Sequence, residues 1–130
     1  MLDVEKLLKL FNSGLFAQIA ITGTGSALMR FENELIRQLE CKGNHIEELK
    51  LSTNTNFELS LAEPFNLVFV KGLEKMPVQD NQAYFMRTFL DTQQYNNLKA
   101  VIFCETKSYI KHFHDKDAPF YLFCLEYTLA

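Results

Sequence analysis

The stretch FAQIAITGTGSALMR, Phe16 to Arg30, decides the fold. Phe16 to Ile21 has the apolar pattern of a buried strand. Gly23, Thr24 and Gly25 make a tight turn, and Ser26 stands as N-cap of a helix predicted from about Ser26 to Lys42. Leu28, Phe31, Leu35, Ile36 and Leu39 supply the apolar stripe of that helix, and Gly43 is a natural stop. A strand running through a glycine turn into a helix N-terminus gathers backbone N–H groups and the helix dipole at one point, which suits an anion.

Outward from this unit, strands and helices alternate. Asp3 to Phe11 reads as an amphipathic helix that Asn12-Ser13-Gly14 ends. Ile46 to Leu51 is a short second strand. FNLVFV, Phe65 to Val70, is apolar enough for a central strand buried on both faces. A helix from about Asn81 to Tyr95 is expected to bury Phe85, Phe89 and Leu90. LKAVIFC, Leu98 to Cys104, is the fourth strand. Lys107 to His114 is a helix with Tyr109, Ile110 and Phe113 inward, and FYLFCLEY, Phe120 to Tyr127, is the fifth strand. Phe57 to Ala62 reads as a short helix. The expected fold is one α/β domain, residues 1–130. It is a three-layer sandwich with a five-stranded, mostly parallel sheet and helices on both faces.

The order of elements resembles the core of RecA/AAA+-type P-loop ATPases, as in helicase-loader and clamp-loader subunits. The P-loop pattern is G-x-x-x-x-G-K-[ST]. Here Gly23-Thr24-Gly25-Ser26 runs straight into Ala27-Leu28-Met29, without the lysine and hydroxyl of the pattern. FNLVFVKGLEKM resembles a Walker B strand, with Lys71 and Gly72 at the acidic positions, and Glu74 lies three residues beyond. VIFCETKS resembles a sensor strand, with Cys104, Glu105 and Thr106 around the expected polar residue. Phosphoryl transfer relies on cations and a metal-holding carboxylate around the transferring group. Losing one such electrostatic group costs ~2.7–4 kcal/mol in a catalytic step, so the loss of three implies no ATP hydrolysis. A dinucleotide-binding reading fits less well, since Leu28 replaces the third glycine of G-x-G-x-x-G.

The resemblance implies a non-catalytic, ATPase-like interaction or adaptor subunit in DNA replication or a related nucleic-acid machine. Its site residues are the rim at the strand C-termini. Thr24, Gly25, Ser26 and Arg30 would form at most a weak anion site, and Lys71, Glu74 and Lys107 would contact a protein partner. Phe57 and Phe120 are candidate apolar anchors. No cofactor and no metal are expected. His112-x-His114 beside Asp115 and Asp117 reads as a solvated helix end, because helix positions two apart do not face each other.

Two other function classes follow from the residues. One is a small α/β enzyme or nucleotide-binding protein using Glu105 or Cys104 at the end of the fourth strand. The other is a structural homodimer joined through FYLFCLEY as a sheet edge. Composition narrows the field. The chain is 48% hydrophobic and 22% charged, as ordinary globular domains are. A formal charge of −3 gives no footing for free-standing nucleic-acid binding, so nucleic acid is met only indirectly or weakly. The three cysteines, Cys41, Cys104 and Cys124, form no CxxC pair. No apolar run reaches the ~18 residues of a membrane span, and no segment has signal-peptide form. Cytoplasmic residence is the expectation.

Overall fold

The structure, a computed structural model, describes residues 3–13, 17–41, 46–50, 67–76, 81–93 and 99–129. Three apolar patterns become its central strands: β1 (Gln18–Gly23), β3 (Leu67–Lys71) and β4 (Lys99–Glu105). They are buried on both faces, which is why their sequences run apolar without alternation. β2 (Ile46–Lys50) and β5 (Leu125–Thr128) flank them. The order is β2-β3-β4-β1-β5, and every neighbouring pair is parallel. The chain is thus α/β with a parallel sheet, as its alternation predicts.

Parallel neighbours need helical crossovers, and these cover the sheet. α1 (Val4–Asn12) and α2 (Gly25–Cys41) share one core with Ile19, Ile21, Leu67, Phe69, Val101 and Phe103. Strand residues of the opposite parity, Ala20, Val68, Val70, Ala100, Ile102 and Cys104, form the second core. A 3-10 turn (Leu73–Lys75), α3 (Asn81–Gln93) and α4 (Thr106–Phe113) close that side. Burying each Val, Leu, Ile or Phe contributes about 1.5–3 kcal/mol. Phe69 and Phe103 also meet edge to face, with centroids 5.4 Å apart. Asp3 caps α1 by accepting from the Lys6 N–H at 2.8 Å.

Several expectations change. Gly23 is the last residue of β1 rather than part of the turn, which leaves Thr24 alone as the link to α2. Thr24, not Ser26, is the N-cap. Its hydroxyl accepts from the Ala27 N–H at 3.2 Å, and its carbonyl accepts from the Leu28 N–H at 2.9 Å. Phe85 is exposed, and Ala83, Met86 and Leu90 form the buried stripe of α3. Ile110 is exposed as well, because the buried face of α4 is Tyr109, His112 and Phe113.

The fifth strand begins at Leu125, not Phe120. Phe120 is wholly buried, packed between the tilted rings of Phe113 and Phe123, so it is no exposed anchor. Turn hydrogen bonds, Tyr121 N–H to Ala118 O and Phe123 N–H to Phe120 O, fold this segment back on itself. Leu122, with φ 52°, breaks the extension. Aromatic packing outweighs the strand propensity of FYLFC. Phe57, and the choice of conformation for Phe57 to Ala62, lie outside the described residues.

Candidate functional site

β4 lies between β1 and β3, so the C-terminal ends of the three strands that carry the sequence resemblance come together. α2 leaves β1 toward one face and α4 leaves β4 toward the other. Adjacent strands whose connections diverge in this way open a crevice at their carboxyl ends, where α/β sheets bind ligands.

A cleft of about 160 Å³ opens there, lined by Gly25, Leu28, Met29, Glu32, Lys71, Gly72, Glu74, Phe103 and Glu105. Four lining residues come from α2 at positions 25, 28, 29 and 32, one helical face by spacing alone. Phe103 and Leu28 are buried and make an apolar floor, and Met29 is 63% exposed. Gly72 adopts φ 88° and turns the chain out of β3 into the 3-10 turn. That left-handed step, which glycine takes without a Cβ penalty, leads to the buried Leu73 and to Glu74 in the cleft lining.

The charges are disposed as follows. β1 and β4 pair in register through Gly23 and Glu105. This places the Glu105 carboxylate over the start of α2, where a Cβ on Gly25 would lie 3.0 Å from Oε1. An acid near a helix N-terminus is favourably placed in the helix dipole. Lys107 Nζ meets Glu105 Oε2 at 3.2 Å from an exposed position on the rim. Lys71 forms an ion pair with Glu32 in the cleft wall, both largely shielded from solvent. Among the described residues the lining carries three carboxylates, Glu32, Glu74 and Glu105, against one ammonium.

Of the residues singled out in the sequence, Gly25, Lys71, Gly72, Glu74 and Glu105 line this cleft, and Lys107 borders it through its ion pair with Glu105. Thr24, Ser26 and Arg30 are exposed and do not line it. Sequence reasoning missed Glu32, Leu28, Met29 and Phe103 as wall residues. The i, i+3, i+4, i+7 spacing from Gly25 was the available signal for three of them.

Chemistry elsewhere is limited. Cys104 is fully buried, and burial, followed by the nearby charges of Glu74 and Glu105, pushes its thiol up to about 12. A thiol so held is not a nucleophile at neutral pH. His112 is buried, its Nδ1 lacking a hydrogen-bond partner among the described residues, contrary to the expected solvated helix end, and burial holds its pKa below the ordinary value. His114 Nε2 instead contacts Glu126 Oε1 at 2.7 Å, an oxygen that also accepts from the Tyr109 hydroxyl. Among the described residues no group of three or more His, Cys, Asp or Glu is placed to hold a metal ion, and no helix is long and apolar enough to cross a membrane. No protein-family model, curated protein or solved structure matches the chain.

Proposed function

We propose that this chain is a non-catalytic, P-loop-ATPase-like subunit that docks on a protein partner in a DNA-replication or related nucleic-acid machine. In this reading its five-stranded, mostly parallel sheet with helices on both faces is an ATPase core that has lost its catalytic equipment. One observation carries the proposal. Over the glycine turn, where a phosphate would meet the helix N-terminus, stands the protein's own carboxylate, Glu105. Beside it the metal-acid position, Lys71, is an ammonium already engaged by Glu32. A phosphate there would face repulsion from Glu105 and Glu74, with Lys71, the one cation among the described lining residues, already paired with Glu32.

Calorimetric titration of ATP and ADP, with and without magnesium, tests the non-catalytic half. The comparison protein is a Thr24/Ser26/Arg30 triple alanine variant. No heat at millimolar nucleotide and no phosphate release are expected. Nucleotide binding that the triple variant loses would overturn it. For the docking half, the tagged chain is expected to co-purify with replication proteins, and Glu74→Lys with Lys107→Glu to release them. Recovery unchanged by both reversals would remove the rim from the interface.

A further inference from the structure

The cleft is an apolar groove with carboxylates at its mouth, and these two features together describe one kind of occupant. Leu28, Phe103 and the exposed Met29 offer surface for an aliphatic stem. At the far side Glu74 has no ion pair or hydrogen bond among the described residues, and Glu105 shares its charge with a lysine on the rim. Both carboxylates line the same cleft. Lys71, in the same lining, is paired with Glu32. An apolar cavity of about 150 Å³ takes a benzene-sized group, so a cleft of about 160 Å³ admits one long side chain.

Resting on the docking reading above, we propose that the cleft receives a single arginine or lysine side chain from a protein partner. Its methylenes would lie on Leu28 and Phe103, and its cationic head between Glu74 and Glu105. Charge complementarity selects this occupant. An acidic or phosphorylated segment would meet three carboxylates, and a purely apolar one would leave Glu74 and Glu105 desolvated without a counter-charge. Long basic side chains combine the two chemistries the groove presents.

The test uses the isotope-labelled whole chain and two peptides, acetyl-Leu-Arg-Leu-amide and its citrulline counterpart, which is nearly isosteric and uncharged. In amide-correlation spectra the arginine peptide is expected to shift Gly25, Gly72 and Phe103. The citrulline peptide should bind about tenfold more weakly, the loss of one charge-assisted pair. Glu74→Gln, whose fold is checked by its own spectrum, should remove most of that preference. Equal binding of the two peptides, or arginine-dependent shifts confined to residues outside the cleft, would overturn the proposal. Magnesium-ATP is the control arm. If it shifts the same glycines, the non-catalytic reading falls too; if it is silent while arginine selectivity is absent, only this inference fails.

Discussion

Glu105 Oε1 lies 3.0 Å from the point that a Cβ on Gly25 would occupy, so the end of β4 leans directly on the first residue of α2. The obstacle is the tip of a flexible side chain, which can swing away. Gly25→Ala should therefore gain the ~0.4–1 kcal/mol that loss of glycine freedom in the unfolded chain contributes. Gly23 differs, since its Cβ would meet Leu129 Cβ at 3.2 Å and Ala27 Cβ at 3.7 Å. Those atoms are tied to backbone, and Gly23→Ala should cost about 1–3 kcal/mol through overpacking. Urea unfolding of both variants reads the difference. A Gly25 variant less stable than the Gly23 variant would mean that Glu105 is fixed in place.

Three acidic groups in the second core predict an alkaline limit to stability. Burial raises the Cys104 thiol from 9.0 to about 12, with Glu74 and Glu105 adding to it. Burial, with Glu126, also raises Cys124 and Tyr109. Each is held neutral in the fold, whereas the unfolded chain ionises it near its ordinary value. Stability is thus intact below pH 9 and declines as pH rises toward the folded values, at up to about 1.4 kcal/mol per pH unit for each group. Urea midpoints measured from pH 7 to 11 should fall above 9, and less steeply in Cys104→Val. On a Cys41→Ser background, Ellman's reagent should label the native thiols far more slowly than the urea-unfolded ones.

His112 sets the acid side. Burial first, and Lys111 second, hold its pKa below 6.5, so the folded protein keeps it neutral. Its stabilising effect is present above pH 6.5 and is lost as pH falls through the folded value, because the unfolded chain takes up the proton first. Its unpartnered Nδ1 also leaves a polar atom buried without compensation. His112→Leu should remove the decline between pH 6.5 and 5 and be neutral or stabilising by about 1 kcal/mol at pH 7. A variant that keeps the same acid slope would assign that slope to other groups.

The sheet was legible because its central strands are apolar on both faces and separated by helical periodicity. FNLVFV and LKAVIFC admit few other readings, and β1 runs into α2 as expected, though through Thr24 alone. The misread places are those where aromatic packing set the conformation. Phe120 and Phe123 pack their rings against each other within turns, and their alternation mimics a strand. On α3 and α4, runs such as Tyr84-Phe85-Met86 and Tyr109-Ile110 offer two apolar faces, and only the sheet decides which is buried. The cleft was half legible. Gly25, Lys71 and Glu74 were within reach of motif reading, whereas the Lys71–Glu32 pair joins residues 39 apart. The placement of Glu105 over Gly25 depends on β1–β4 register, which no local pattern encodes.

That ion pair also separates structural from catalytic roles for Lys71, the residue standing where a magnesium-site acid would be expected from the resemblance. Lys71 and Glu32 are only 24% and 14% exposed, so removing Lys71 leaves the shielded Glu32 carboxylate without this counter-charge. Lys71→Met should destabilise by about 3 kcal/mol, the low end for a shielded pair, and Glu32→Gln by less, because Lys71 keeps a further contact. The Lys71→Met/Glu32→Met double variant should recover most of the loss, because apolar side chains of similar length satisfy the wall without a charge. Lys71→Asp, which restores the acid of the ATPase pattern, would add a fourth carboxylate to the lining and should be the least stable of the set. It should also bind no magnesium-ATP, since the loop still lacks the lysine and hydroxyl of an intact P-loop. Urea unfolding and nucleotide titration of these four variants distinguish the outcomes. Nucleotide binding by Lys71→Asp would show an ATPase site one substitution from function and overturn the structural role given to the pair.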